Sequence, residues 1–237
     1  MTQLQFTRWV LKPIVFLACL SPAVYLVWAL LTGHLSANPL SDVTNETGVW
    51  TLRFLCATLA MTPLRRLSGW NGAIRFRRMI GLYAFFYGTL HLSTYVILDR
   101  FAGLDFPDGV SVATVLSWTT MRGLAMSVAK DVYKRPFITL GSVAFVSMLP
   151  LAATSTAGMI RRLGGRRWAA LHRLVYFSAV AGVVHYWWLV KVDVARPLRY
   201  GFIVGVMLLF RLYWARSRRP SKAKPEVRSL KSAGGQT

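Results

Sequence analysis

FRRMIGLYAFFYGTLHLSTYVIL (76–98) and WAALHRLVYFSAVAGVVHYWWLV (168–190) are long apolar runs that each carry imidazole. A run of about 20 mostly apolar residues has the length of a helix crossing a bilayer core of roughly 30 Å. Backbone groups in lipid must pair internally, so each run is read as a helix. Histidine in hydrocarbon is costly unless something binds it, which makes His91, His172 and His185 candidate functional groups by position alone. Neutral imidazole is also the commonest metal ligand in proteins, and two imidazoles on separate helices can clamp a haem iron from both sides.

Further apolar runs lie at 13–33, 48–67, 136–158 and 198–215, in a chain that is 54% hydrophobic. Together the runs predict an all-α polytopic membrane protein of six transmembrane helices. Residues 13–215 form the single domain, 1–12 a cytoplasmic N-terminus and 216–237 a basic, disordered cytoplasmic tail. The first run is longer than the roughly 7–15 apolar residues of a signal peptide, so it is read as a retained helix.

The net charge of +21 raises the question of nucleic acid. Its distribution answers it. With the N-terminus inside, the inner side holds Arg8 and Lys12, then Arg65, Arg66, Arg75, Arg77 and Arg78. It also holds Arg161, Arg162, Arg166 and Arg167, and every Lys and Arg from Arg211 onward. Seven of the eight acids fall outside. This is the positive-inside pattern, with both termini cytoplasmic, and it points to lipid rather than nucleic acid. Cys19 and Cys56 lie within spans and read as small packing residues. No CxxCH occurs, which excludes covalent c-type attachment. No GxGxxG, P-loop or HExxH occurs either.

The connection 99–135 is the longest. It contains VSVATVLSWTTMRGLAMSVA (110–129), with Arg122 near its middle. A seventh span here would put the Arg161–Arg167 cluster outside, so the segment is expected to be an interfacial or re-entrant helix on the outer, periplasmic face.

Helical rise gives depth at about 1.5 Å per residue. His91 lies 15 residues above Phe76, roughly 22 Å up, and His185 lies 17 above Trp168, roughly 25 Å up. The two therefore share a level in the outer half of the bilayer, as a bis-histidine haem between the third and fifth spans requires. His172 lies roughly 20 Å lower. On a regular helix its side chain stands roughly 140° from that of His185. Arg77 and Arg78 occupy its level on span three, with Met79 as the other soft side chain. His172 thus has three open roles: a second haem with another or no sixth ligand, a flavin or quinol site, or an interfacial hydrogen bond. Arg53 is the expected partner of an outer haem's propionates, because arginine pairs with carboxylates in bidentate fashion. Arg77, Arg78 and Arg173 are candidates for an inner cofactor. Tyr83, Phe85, Phe86, Tyr87, Tyr176, Tyr186, Trp187 and Trp188 could wall a porphyrin, or in part form an interface belt. His34 sits in a short outer loop.

RFRRMIGLYAFFYGTLHLSTY (75–95), RPFITLG (135–141) and TSTAGMIRRLGGRRWAALHRLVYFSAVAGVVHYWW (154–188) together resemble the ferric-reductase-like transmembrane domain, and more closely the MsrQ family. ATLAMTPLRRL (57–67) fits the same pattern, and the resemblance covers roughly residues 8–215. It implies a bacterial inner-membrane protein with haem b, one or two per chain, on the histidines matching His91, His172 and His185. It also implies FMN. Electrons would come from quinol or a cytoplasmic flavin reductase and go to a periplasmic molybdopterin subunit that reduces methionine sulfoxide in oxidised proteins. The chain would then be the electron-transfer subunit rather than the catalytic one. A stand-alone ferric or cupric reductase is the redox alternative. A transporter with histidines in its pathway is the alternative from another class.

Overall fold

A computed structural model describes residues 2–101, 117–190 and 193–217. Among them there is no strand. A helical turn at Gln3–Phe6 and a π-helical stretch at Thr7–Leu11 lead into α1 (Lys12–Leu31). Then follow α2 (Pro39–Ser68), α3 (Ile74–Ser93), α4 (Trp118–Lys134), α5 (Pro136–Ala153), α6 (Ala157–Leu171), α7 (Leu174–Leu189) and α8 (Ala195–Ser217). Four helical stretches are long and apolar enough to cross a membrane: Thr7–Leu31, Asn71–Ile97, Pro136–Ala153 and Ala195–Ser217. The protein is a multi-pass membrane protein.

Local chemistry sets the boundaries. Asn38 accepts from the Ser41 amide at 3.1 Å and Pro39 opens α2, a pairing suited to a helix start. Gly69, with φ of 68°, closes it in the left-handed conformation that glycine adopts freely. In the loop before α2, the Ser36 amide donates to the Asp42 carboxylate at 2.7 Å. Hydrogen bonds from Ser36 hold that carboxyl below its ordinary range. Pro136 lacks an amide proton, so α4 ends at Lys134 and α5 begins afresh.

Side-chain contacts fix the helix directions. Thr44 near the start of α2 meets His91 near the end of α3, and Arg65 near the end of α2 meets Asn71 just before α3. These two helices are antiparallel. Phe137 at the start of α5 meets His185 late in α7, while Ser147 and Ser178 join their middles at 2.6 Å, so α5 and α7 are antiparallel too. Late in α8, Arg211 reaches Tyr176 at the start of α7 and Leu59 and Thr62 on α2. Early in α8, Tyr200 meets Arg53 of α2 and Tyr186 of α7. Helix α8 therefore runs against α7 and with α2. Along α1, Phe16 meets Tyr83 and Cys19 meets Tyr87, so α1 runs with α3.

The core lies where α1, α2, α3 and α7 converge, around Leu59, Tyr83, Ala84, Tyr87, Val175 and Ala179. Two of the expected porphyrin-wall aromatics hold α1 instead. The Tyr87 hydroxyl donates to the Cys19 carbonyl at 2.9 Å and accepts from the Ala23 amide at 3.0 Å. Those two groups would otherwise pair with each other, so the tyrosine is inserted into the hydrogen-bond ladder of α1 beside Pro22. Tyr83 donates to the Phe16 carbonyl at 2.9 Å. Tyr87→Phe should therefore cost about 1–3 kcal/mol, the penalty for stranding buried polar groups, with the ring packing retained. Thermal unfolding in detergent is the check, and an unchanged midpoint would mean the α1 ladder recloses.

The expected outer-face segment is helical from Trp118, with residues 110–116 of it outside the described residues. Its amphipathic helix α4 is moored by Asp131, which is buried. That carboxylate accepts from Tyr95 at 2.6 Å and pairs with Arg100 at 2.6 Å, both beyond the end of α3. Thr139 of α5 donates to the Val132 carbonyl. The helix also exposes Trp118, Met126 and Tyr133. Of the expected tail, Arg216 and Ser217 complete α8. Residues 218–237 lie outside the described residues.

Candidate functional site

The sequence brings His91 and His185 to one level, and the structure brings their rings together. Their centroids are 6.1 Å apart and their planes are inclined at 75°. Both rings are held the same way. His91 Nδ1 lies 2.8 Å from the Thr44 carbonyl oxygen of α2. His185 Nδ1 lies 2.6 Å from the Phe137 carbonyl oxygen of α5. A carbonyl only accepts, so each Nδ1 carries the proton and donates it. Each Nε2 then keeps its lone pair. That is the tautomer a metal-binding imidazole adopts when its other nitrogen is tethered.

The donor set can be tested against an iron porphyrin. A bis-imidazole iron requires two metal–nitrogen bonds of roughly 2 Å, plus about 1 Å from each nitrogen to its ring centre. The sum is close to the observed centroid distance. Among the described residues no three His, Cys, Asp or Glu side chains gather to hold a bare ion. A porphyrin supplies four equatorial nitrogens and asks the protein only for two axial ones. The residues fit that group.

The remaining candidates divide between the two ends of the bundle. Arg53 donates to the Tyr200 hydroxyl at 3.2 Å, lies 4.0 Å from Glu46 and covers the Trp50 ring at 4.4 Å. Its guanidinium is already engaged by groups on its own helix and on α8. His172 caps α6, stacks on Trp168 at 3.8 Å and donates from Nδ1 to the Trp168 carbonyl at 3.0 Å. Its Nε2 lies 3.5 Å from Ser155 Oγ. The chain turns at His172 and Arg173, so these positions and His185 do not share one continuous rod. Arg77 lies at the start of α3, partly buried. Arg78 and Arg173 are exposed. His34 is exposed, stacked on Trp28.

Sequence reasoning missed Arg211. It bridges three helices, donating to Tyr176 at 2.5 Å, the Leu59 carbonyl at 2.9 Å and Thr62 at 3.1 Å. It was counted with the inner-side charges, although its place four residues before the end of the run 198–215 marks it as an intramembrane arginine. Gly48 and Gly141, which lie against the two imidazoles, were missed as well.

The description "Ferric reductase like transmembrane component" matches residues 47–183, a stretch that holds the Thr44–His91 neighbourhood from Gly48 onward but stops two residues short of His185. Curated relatives extend the match across the bundle. The protein-methionine-sulfoxide reductase heme-binding subunit MsrQ of Herminiimonas arsenicoxydans is 48% identical over 211 residues, covering 88% of this chain and 87% of the relative. This chain belongs to the MsrQ family. The MsrQ of Ralstonia nicotianae is 50% identical, over 84% of this chain and 83% of its own length. That of Azospira oryzae is 42% identical, over 92% and 88%. No solved structure matches. Membership of the MsrQ family bears out the resemblance read from residues 8–215.

Proposed function

We propose that the chain is the haem-bearing, electron-transferring membrane subunit of a methionine-sulfoxide reductase system in the bacterial inner membrane. One observation carries this reading: His91 and His185, on different helices, stand 6.1 Å apart with both Nδ1 atoms tied to carbonyls. The names of the relatives agree with it.

His91 and His185 would hold a haem b near the outer face, between α3 and α7. The group supplies one-electron transfer. The protein's part is to present two neutral imidazoles and fix their tautomers through Thr44 and Phe137. Arg53 is the proposed partner of a propionate, in exchange for its weak pairing with Glu46. At the inner end His172, Arg77 and Arg78 are the proposed surroundings of a second cofactor, haem or FMN. The donor is quinol or a flavin reductase, and the acceptor is a periplasmic molybdopterin reductase subunit that binds at the face bearing α4.

Six crossings are part of the proposal, and the helix directions support them. Helices α1 and α3 are parallel, so α2 must cross back between them. Helices α5 and α8 are parallel, so α7 must do the same.

The detergent-solubilised protein should be red, with a sharp Soret peak and a resolved α band after dithionite. The pyridine haemochrome yield per chain separates one haem from two. A colourless preparation from haem-supplemented cells would instead favour a transporter. Oxidation of the reduced protein by a periplasmic molybdoenzyme, faster than by ferric chelates, is the expected outcome. The reverse would favour a stand-alone ferric reductase.

A further inference from the structure

We infer that Gly48 and Gly141 are positioning residues that set the seat, and through it the electronic state, of the two imidazoles. The inference rests on the haem reading given above. The observation is a notch built twice. A Cβ on Gly48 would stand 3.0 Å from both Cε1 and Nδ1 of His91. A Cβ on Gly141 would stand 2.8 Å from the same two atoms of His185. Each imidazole therefore lies with its Cε1–Nδ1 edge on the bare backbone of the neighbouring helix.

The helix geometry explains why glycine is needed there. The carbonyls that receive the imidazole protons belong to Thr44 and Phe137, each four residues before its glycine. In a helix a side chain leans toward the N-terminus and covers the turn before its own Cα. The residue at i+4 is thus the one whose side chain would screen the carbonyl at i. With glycine at i+4, that oxygen stays open sideways, although the Thr44 oxygen also accepts from the Thr47 hydroxyl at 2.9 Å. The imidazole can then donate to it, which orients the ring and aims Nε2 away from the backbone. The sequence separation from carbonyl to histidine is 47 residues in one helix pair and 48 in the other. Two helix pairs of unlike sequence and connection share one arrangement.

Other glycines at helix contacts are looser. A Cβ on Gly81 would meet Thr58 at 3.7 Å, and one on Gly205 would meet nothing within 4 Å. Among the described glycines inside the α-helices, only 48 and 141 would bring a Cβ within 3.0 Å of a neighbour; outside them, Gly72 lies tighter still against Trp70.

The test is Gly48→Ala and Gly141→Ala in the full chain, with Gly205→Ala as control, each purified with its haem. The readouts are the low-spin ferric EPR signal and the midpoint potential of the outer haem. Both alanine variants should move the largest g value and the potential, Gly141→Ala further because its gap is smaller. Gly205→Ala should move neither. Unchanged EPR and potential in both variants, with haem bound, would overturn the inference and leave the haem reading standing. A colourless parent protein would overturn the haem reading itself. Chemical rescue keeps the question decidable where an alanine variant does not fold. In His91→Gly, which retains Gly48, added imidazole should restore the low-spin spectrum. 1-Methylimidazole should not, because its methyl replaces the proton bound for Thr44. Equal rescue by both would overturn the inference.

Discussion

His91→Ala and His185→Ala should each remove the outer haem and stop electron delivery to the periplasmic partner. Neither substitution is expected to unfold the bundle. The Thr44 and Phe137 carbonyls sit within helices and keep their backbone partners, so each variant loses about 1 kcal/mol of side-chain hydrogen bonding. The iron, by contrast, loses an axial ligand. Disturbing a partner that only orients a ligand weakens metal binding by about 10–100-fold, and losing the ligand itself should exceed that. His172 cannot substitute, because it lies at the opposite end of α7 from His185. The measurement is the reduced-minus-oxidised spectrum with haem quantitation, beside a size-exclusion profile showing that the variant is folded. A full bis-histidine spectrum in either variant would refute the pairing. The parent protein offers a second readout. Ring planes at 75° approach the perpendicular arrangement, which gives ferric bis-imidazole centres a low-spin EPR signal with an unusually large maximum g value. A well-resolved rhombic spectrum typical of parallel rings would contradict this geometry.

The nearness of the two rings was legible in sequence because depth in a membrane helix follows residue count. The estimate assumed a continuous span from Trp168 to Val190, and that assumption fails at His172. There the imidazole donates to the Trp168 carbonyl, the same oxygen that accepts from the His172 amide. Side chains that bond back to a nearby carbonyl compete with the helical ladder, and hydropathy gives no sign of it. The levels agree nonetheless, since the turn is tight and costs little rise. Tyr83 and Tyr87 were read by composition as possible cofactor walls. Their hydroxyls bond the Phe16 and Cys19 carbonyls of α1, a match that exists only once the helices pack. Arg53 has neighbours that its depth alone does not reveal. Glu46 and Trp50 lie seven and three residues before it, on its own helix face, and they engage its guanidinium. The carbonyls and glycines that seat the histidines were invisible for a simpler reason. A backbone oxygen has no letter in the sequence, and glycine is read as punctuation until a ring is found against it.

A reporter inserted at Trp70 should lie in the cytoplasm, and so should one at Gly164. Reporters at Ser36 and Asp193 should lie in the periplasm. Sandwich fusions of green fluorescent protein and of alkaline phosphatase in the full chain would read this as an all-or-none pattern. The prediction is not trivial, because hydropathy alone credits four helices. Helix α7 has 16 residues, about 24 Å at the helical rise, a little short of a core of roughly 30 Å. The end of α6 beside it supplies the missing length, and the exposed Trp187 and Trp188 suit the outer interface. Helix α2 is long, with 30 residues, but Asp42, Glu46 and Arg53 dilute its outer end. Both helices are flanked by spanning neighbours: α7 packs against α5 and α8, and α2 against α3 and α8. The bundle engages part of their polar surface: Ser147 and Ser178 bond each other across α5 and α7, and Arg53, though exposed, bonds Tyr200 of α8. Such helices can cross with less hydropathy than an isolated span, because the bundle satisfies what the lipid cannot. Phosphatase activity at Trp70 would mean that α2 stays outside. Thr44 and His91 would then no longer share a hairpin across the bilayer, and the haem site would lose one of its two walls.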